Sequence, residues 1–257
     1  MIIAHLAYDT HSLLACCLTC SSWYIAAAPY LHHTLITPTF RCGPKLWWPD
    51  SFQDMHELGL FPLVKRLQIQ GTGYKRDRGT TFSPEQFDHH ILHQFSSLTN
   101  IRELGINDLD IPGFMPEIRR YFNHFLPTVR SLSLVKPRGS CRQIIFFIGL
   151  FQHLEDLTLY GIFLESRGGS LDDAMLFPSS IPPLRGRLEV QYCKGVGVLE
   201  DMISLFGGIR FCHLHLMEAD GVQLLLNACA KTLETLGFSP WGYGEGSERV
   251  SLKECGL

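Results

Sequence analysis

Aliphatic residues recur along this chain in short alternating runs of the form x-x-Leu-x-Leu. Four come first: Val64…Leu67-Gln68-Ile69, Ile101…Leu104-Gly105-Ile106, Val129…Leu132-Ser133-Leu134 and Leu154…Leu157-Thr158-Leu159. Three more follow: Leu184…Leu188-Glu189-Val190, Phe211…Leu214-His215-Leu216 and Leu233…Leu236-Gly237-Phe238. Alternation over so few residues marks a strand that buries every second side chain. The central leucines step by 37, 28, 25, 31, 26 and 22 residues. Helical patterns lie between the runs. Ser83-Pro84-Glu85-Gln86 opens one, with a capping serine, proline at the first helical position and a glutamine placed to bond back. Phe87, Ile91, Leu92 and Phe95 line its inner face, and further helices are expected over Met115 to Phe125, Arg142 to Phe151, Val198 to Phe206 and Val222 to Ala230. An α/β chain follows, with its strands stacked side by side.

The first 36 residues follow a different rule. Met1 to Leu6 reads as the tail of one helix. Asp9-Thr10 caps a second, which Pro29 is expected to stop because its ring does not follow Ala28 in helical geometry. Leu13, Leu14, Cys17, Leu18, Tyr24 and Ile25 recur at helical spacing, and Cys16, Cys20, Trp23 and Ala27 form an adjoining stripe. A helix apolar on more than one face must be covered on more than one face. A unit of about 40 residues cannot bury that much by itself.

His5-Leu6, then Ser12-Leu13-Leu14-Ala15-Cys16-Cys17-Leu18-Thr19-Cys20-Ser21-Ser22-Trp23, then Ala26-Ala27-Ala28-Pro29-Tyr30-Leu31 resembles the F-box of a large fungal family. That family carries an aliphatic-x-Cys-Leu-Val-Cys-x-x-Trp stretch followed by a short apolar segment such as Leu31 to Ile36. Thr19 departs from the aliphatic usual there, and no Leu-Pro-x-Glu opening precedes His5, so the resemblance implies a first helix entered partway. The strand–helix repeat is similar to leucine-rich repeats of the irregular, long kind that often follow an F-box. The asparagine of that consensus is mostly missing; Cys193, three residues after Val190, stands at its place. The resemblance implies an F-box-like helical module at 1–40 with an incomplete first helix, a linker at 41–62 and a repeat solenoid with a parallel sheet at 63–257.

Composition narrows the classes. Of 257 residues, 46% are apolar and 18% charged, too hydrophobic for a disordered tail. The formal charge of −3 argues against nucleic acid as the partner. No apolar run is long enough to span a bilayer, and the first basic residue is Arg41, so the positive start of a secretory signal is missing. Nine scattered cysteines indicate a reducing compartment, cytoplasmic or nuclear.

Catalytic or metal chemistry finds little support. Cys16-Cys17-x-x-Cys20 lacks a second ligand pair, since Cys42 stands alone, and its thiols fall on packing faces. His89 and His93 share a helical face, but Ile91 and Leu92 sit where a metalloprotease carries its glutamate. His213 and His215 share a strand face with no carboxylate recognisable nearby. Asp172-Asp173 reads as a helix start, and no Gly-x-Ser-x-Gly turn or protease-like cysteine signature occurs. A doubly wound nucleotide-binding sheet is the rival fold. Yet Gly71-Thr72-Gly73 leads into the charged Tyr74-Lys75-Arg76-Asp77-Arg78, Gly242, Gly244 and Gly246 have no helix after them, and no phosphate loop exists. Trp47-Trp48-Pro49 is expected to pack the front module against the first repeat.

Seven strands at about 4.8 Å would present a surface roughly 29 Å long. Alternation turns Gln68, Gln70, Asn107, Ser133, Thr158, Tyr160, Glu189, Gln191, His215 and Met217 outward on it, a polar and nearly uncharged face suited to a protein target. By resemblance, Leu6, Leu13, Leu14, Leu18, Cys20 and Trp23 either dock a Skp-family adaptor or form the module core. The expected function is a non-enzymatic receptor subunit of a Skp-cullin-F-box ubiquitin ligase, holding an unknown protein substrate, with no cofactor, metal, nucleic acid or membrane. The alternative is an interaction repeat protein outside any ligase, or a truncated relative that no longer docks.

Overall fold

Every one of the seven alternating runs forms a strand. The computed structural model describes residues 5–6, 9–36, 55–71, 95–112, 115, 118–162, 183–193, 198–206, 209–219, 222–238 and 248–251. The strands are β2 (Arg66–Gln70), β3 (Glu103–Asn107), β4 (Ser131–Val135), β5 (Asp156–Tyr160), β6 (Leu184–Cys193), β7 (Ile209–Ala219) and β8 (Thr235–Phe238). A short β1 (Thr34–Ile36) precedes them, and β9 (Glu248–Ser251) follows. Their order in the sheet is their order in the chain, β1 through β9. All neighbours are parallel except β9, which runs antiparallel to β8. The strand order never reverses among these strands, so the switch-point crevice of a doubly wound sheet is absent from them.

The register explains why the leucines recur. Leu35, Leu67, Leu104, Leu132, Leu157, Leu188, Leu214 and Leu236 stand opposite one another in one row. Two residues on, Ile69, Ile106, Leu134, Leu159, Val190, Leu216 and Phe238 form the next. A slip of one residue would turn a whole row to solvent, which fixes the pairing.

Against these rows lie α3 (Cys141–Ile148), α4 (Val198–Leu205) and α5 (Val222–Cys229). Ser140 caps α3 by a reciprocal pair: its hydroxyl accepts from Gln143 N, and Gln143 Oε1 accepts from Ser140 N at 2.8 Å. Between β3 and β4 the expected helix over Met115 to Phe125 is instead a π-helical turn at Ile118–Phe122. The wider turn seats Phe122 between Phe95 and Phe125, with ring centroids 5.2 and 5.1 Å apart. Phe61, Phe146, Phe147 and Phe151 join the same core, which runs unbroken from Leu35 to Cys229.

Each strand from β2 to β5 ends in the same way. The N–H of the next residue donates to a carbonyl at or near the end of the following strand: Gly71 to Asn107, Asp108 to Val135, Lys136 to Tyr160 and Gly161 to Gln191, at 2.7 to 2.9 Å. Asp108, Lys136 and Gly161 have positive φ there, as does Tyr192 at the corresponding place in β6.

The front of the chain departs from expectation. One helix was expected up to Pro29; there are two, α1 (Thr10–Thr19) and α2 (Ser21–Leu31), parted at Cys20. Thr19 Oγ1 donates to Cys16 O at 2.6 Å, taking up a terminal carbonyl of α1, while Cys20 is fully extended. Pro29 lies inside α2, two residues from its end. Proline has no N–H to give the carbonyl of Ile25, four residues back, and Ile25 is exposed, so the helix runs on without burying that group. Asp9 does cap α1: its carboxylate accepts from Ser12 N at 3.0 Å and Ser12 Oγ at 2.6 Å, which holds its pKa below the ordinary value.

Ser83 to Phe87, Trp47-Trp48-Pro49, His89, His93, Asp172-Asp173, Cys42, Cys255 and the glycines at 242, 244 and 246 lie outside the described residues.

Candidate protein-interaction surfaces

The helix pair divides the six residues that the F-box resemblance singles out. Leu13 is 1% exposed and forms a small core with Cys16 and Ala27, against which Leu6, Cys17, Ala26, Tyr30 and Leu31 pack. Leu14, Leu18, Cys20 and Trp23 are on the outside, Leu18 at 89% exposure and Trp23 at 44%. Tyr24 and Ile25 are exposed as well, Ile25 at 71%. Leu6 and Leu13 are therefore core residues, and Leu14, Leu18, Cys20 and Trp23 face away from it. A large exposed apolar group of this kind marks an interaction site more often than a free surface.

The outward row of the sheet is where alternation placed it. Gln68, Ser133, Thr158, Glu189 and His215 share one row with Gly105. Gln70, Asn107, Val135, Tyr160, Gln191 and Met217 share the next. All ten expected positions are half-buried between neighbours on the same face. Tyr160 meets Tyr192 edge-on with centroids 5.3 Å apart.

Two expectations about this face need correction. It is not nearly uncharged, because an outward residue stands just ahead of the leucine row in each strand. Arg66, Glu103, Ser131, Asp156, Arg187 and His213 make a third row. Arg66 bonds Glu103, and Arg187 Nη2 bonds Glu189 Oε2 at 3.2 Å. Nor does His215 lack a carboxylate. Its Nδ1 lies 3.5 Å from Glu189 Oε1, which also accepts from Gln191 Nε2. Glu189 and His215 are 26 residues apart in sequence but partners in register.

No protein family, no curated protein and no solved structure matches this chain.

Burial favours the neutral form of three thiols, Cys17, Cys193 and Cys229. Cys193 Sγ donates toward Leu159 O on the neighbouring strand at 3.6 Å, and burial pushes its pKa up to about 11. Burial also raises Cys17 and Cys229. An activated nucleophile needs the opposite shift. Cys16, Cys17 and Cys20 are buried, half-buried and exposed in turn, and among the described residues no group of three or more His, Cys, Asp or Glu is placed to hold a metal ion. No helix among them is long and apolar enough to cross a membrane.

Proposed function

We propose that this chain is the substrate receptor of a Skp-cullin-F-box ubiquitin ligase, with α1 and α2 as the F-box-like unit and the sheet with its helices as a leucine-rich-repeat-like solenoid. The observation that carries this reading is the imbalance of the helix pair. It buries Leu13, Cys16 and Ala27, yet leaves Leu14, Leu18, Trp23, Tyr24 and Ile25 open to solvent. Covering a Leu or Ile side chain is worth roughly 1.5–3 kcal/mol, so a partner that seats even three of these gains enough for specific docking. Strands in chain order, and the turn that repeats after β2 to β5, support the solenoid. The outward rows then serve as the target-binding face.

Titration calorimetry of the full chain with a purified Skp-family adaptor tests the reading. Binding at about 1 μM or tighter is expected, with Leu18→Glu plus Trp23→Ala weakening it at least about tenfold at an unchanged melting temperature. No heat up to about 100 μM favours the alternative, an interaction repeat protein outside any ligase.

A further inference from the structure

All strands from β1 to β8 are parallel, so their starts lie along one edge of the sheet. That edge is basic in a chain whose net charge is −3. Lys65, Arg102 and Arg130 occupy the same place before three consecutive strands: Arg102 N donates to Lys65 O, and Arg130 N to Arg102 O, both at 2.8 Å. All three side chains are exposed. Further along, Arg185 and Arg210 are direct register partners on β6 and β7, and both are exposed. They stand on a short extension of these two strands beyond a bulge at Gly186. Gly186 has φ +87°, and an added Cβ there would meet Glu155 O at 2.0 Å.

Like charges facing each other across strands are destabilising. Acidic neighbours relieve only part of the repulsion, since Glu103 pairs with Arg66 and Glu155 with Arg130. Among the described residues, Lys65, Arg102, Arg185 and Arg210 have no acidic partner. Two separate cross-strand cation sets on one edge are a cost to the free protein that an anionic partner would remove.

We propose that this edge, Lys65–Arg102–Arg130 with Arg185–Arg210, docks an extended acidic segment of a protein partner. From β2 to β7 is five strand spacings, about 24 Å, the reach of roughly seven extended residues. Glu155 and Glu234 occupy the equivalent place before β5 and β8, and Glu103 and Asp156 stand one residue on, so the cations fall into two clusters that suit a segment of spaced carboxylates better than a continuous phosphate backbone. No aromatic side chain stands among the edge positions to stack a base. The proposal deepens the receptor reading by giving the chemistry of the target. It rests on that reading only for the partner's being a ligase substrate, and binding is measured without adaptor, so either can fail alone.

The probe is a fluorescein-labelled dodecapeptide of alternating glutamate and serine, titrated with the full chain by fluorescence anisotropy. Binding on the order of 10 μM at about 50 mM salt is expected, weakening about tenfold by about 300 mM. Lys65→Glu with Arg102→Glu, and separately Arg185→Glu with Arg210→Glu, each weaken it at least about tenfold, while Arg142→Glu on α3 leaves it unchanged. Melting temperature is followed in parallel; if a charge reversal unfolds the chain, Arg210→Ala replaces it, with about a threefold loss expected. The proposal is overturned if anisotropy stays flat to about 0.5 mM, if both double variants bind like the parent, or if an oligouridylate of equal length binds tighter than the peptide.

Discussion

The two ends of this molecule handle apolar side chains in opposite ways. In the sheet, leucines stand in register rows, helices cover them, and what remains outside is mostly Gln, Asn, Ser, Thr and charged residues. In the helix pair, Leu13, Cys16, Ala27 and Ala28 are buried while Leu14, Leu18, Trp23, Tyr24 and Ile25 stay open. A repeated strand turns only half its residues inward, and its neighbour on each side completes the cover. Two short helices have one contact seam between them, so a chain apolar on two faces leaves one unmet. Self-sufficiency in the sheet and deficiency in the helices are thus consequences of geometry, and they assign different work to the two parts.

Substitutions can break or sharpen this contrast. The largest effect belongs to the phenylalanine core. Phe122→Ala or Phe147→Ala should cost about 3–5 kcal/mol in urea unfolding, since each ring is fully enclosed. Next is Cys193→Ala, at about 1–2 kcal/mol, through the lost thiol volume and its bond to Leu159 O. The same residue gives a pH dependence. Burial raises its folded pKa from 9.0 to about 11, so its contribution is full below pH 9.0 and lost as pH rises through about 11. Urea midpoints at pH 8 and pH 10 should therefore differ less in Cys193→Ala than in the parent. Lys136→Gly should stabilise by about 0.5–1 kcal/mol, because this exposed lysine holds φ at +49°. The smallest effect is at Leu18. Leu18→Ala should change stability by less than about 0.5 kcal/mol despite removing a large apolar group, since that group touches little in the free chain. A loss comparable to Phe122→Ala would erase the distinction between the two regions.

Strands were legible because leucine alternation is the direct image of a buried row, and the parallel stacking followed from the alternation of strand and helix, uneven as its steps are. The polar rows were legible for the same reason. What was missed needed register or backbone detail. Arg66, Glu103, Asp156 and Arg187 stand just ahead of the leucine row, one step outside the alternation that marks the strands. Glu189 and His215 meet only once β6 and β7 are laid side by side. The break at Cys20 was hidden because apolar residues continue through it, and only the Thr19 side chain bonded back to Cys16 O marks the end of α1. The division of Leu6 and Leu13 from Leu14, Leu18, Cys20 and Trp23 depends on that break, which sets the rotation of α2 against α1.

The contrast is tested most directly by amide hydrogen exchange on the full chain, alone and with a Skp-family adaptor. Residues 10–31 should exchange fast in the free chain and slow at least about tenfold on addition of adaptor, while β2 to β8 stay protected throughout. Helices α1 and α2 as protected as the sheet in the free chain, with no change on adding adaptor, would contradict it.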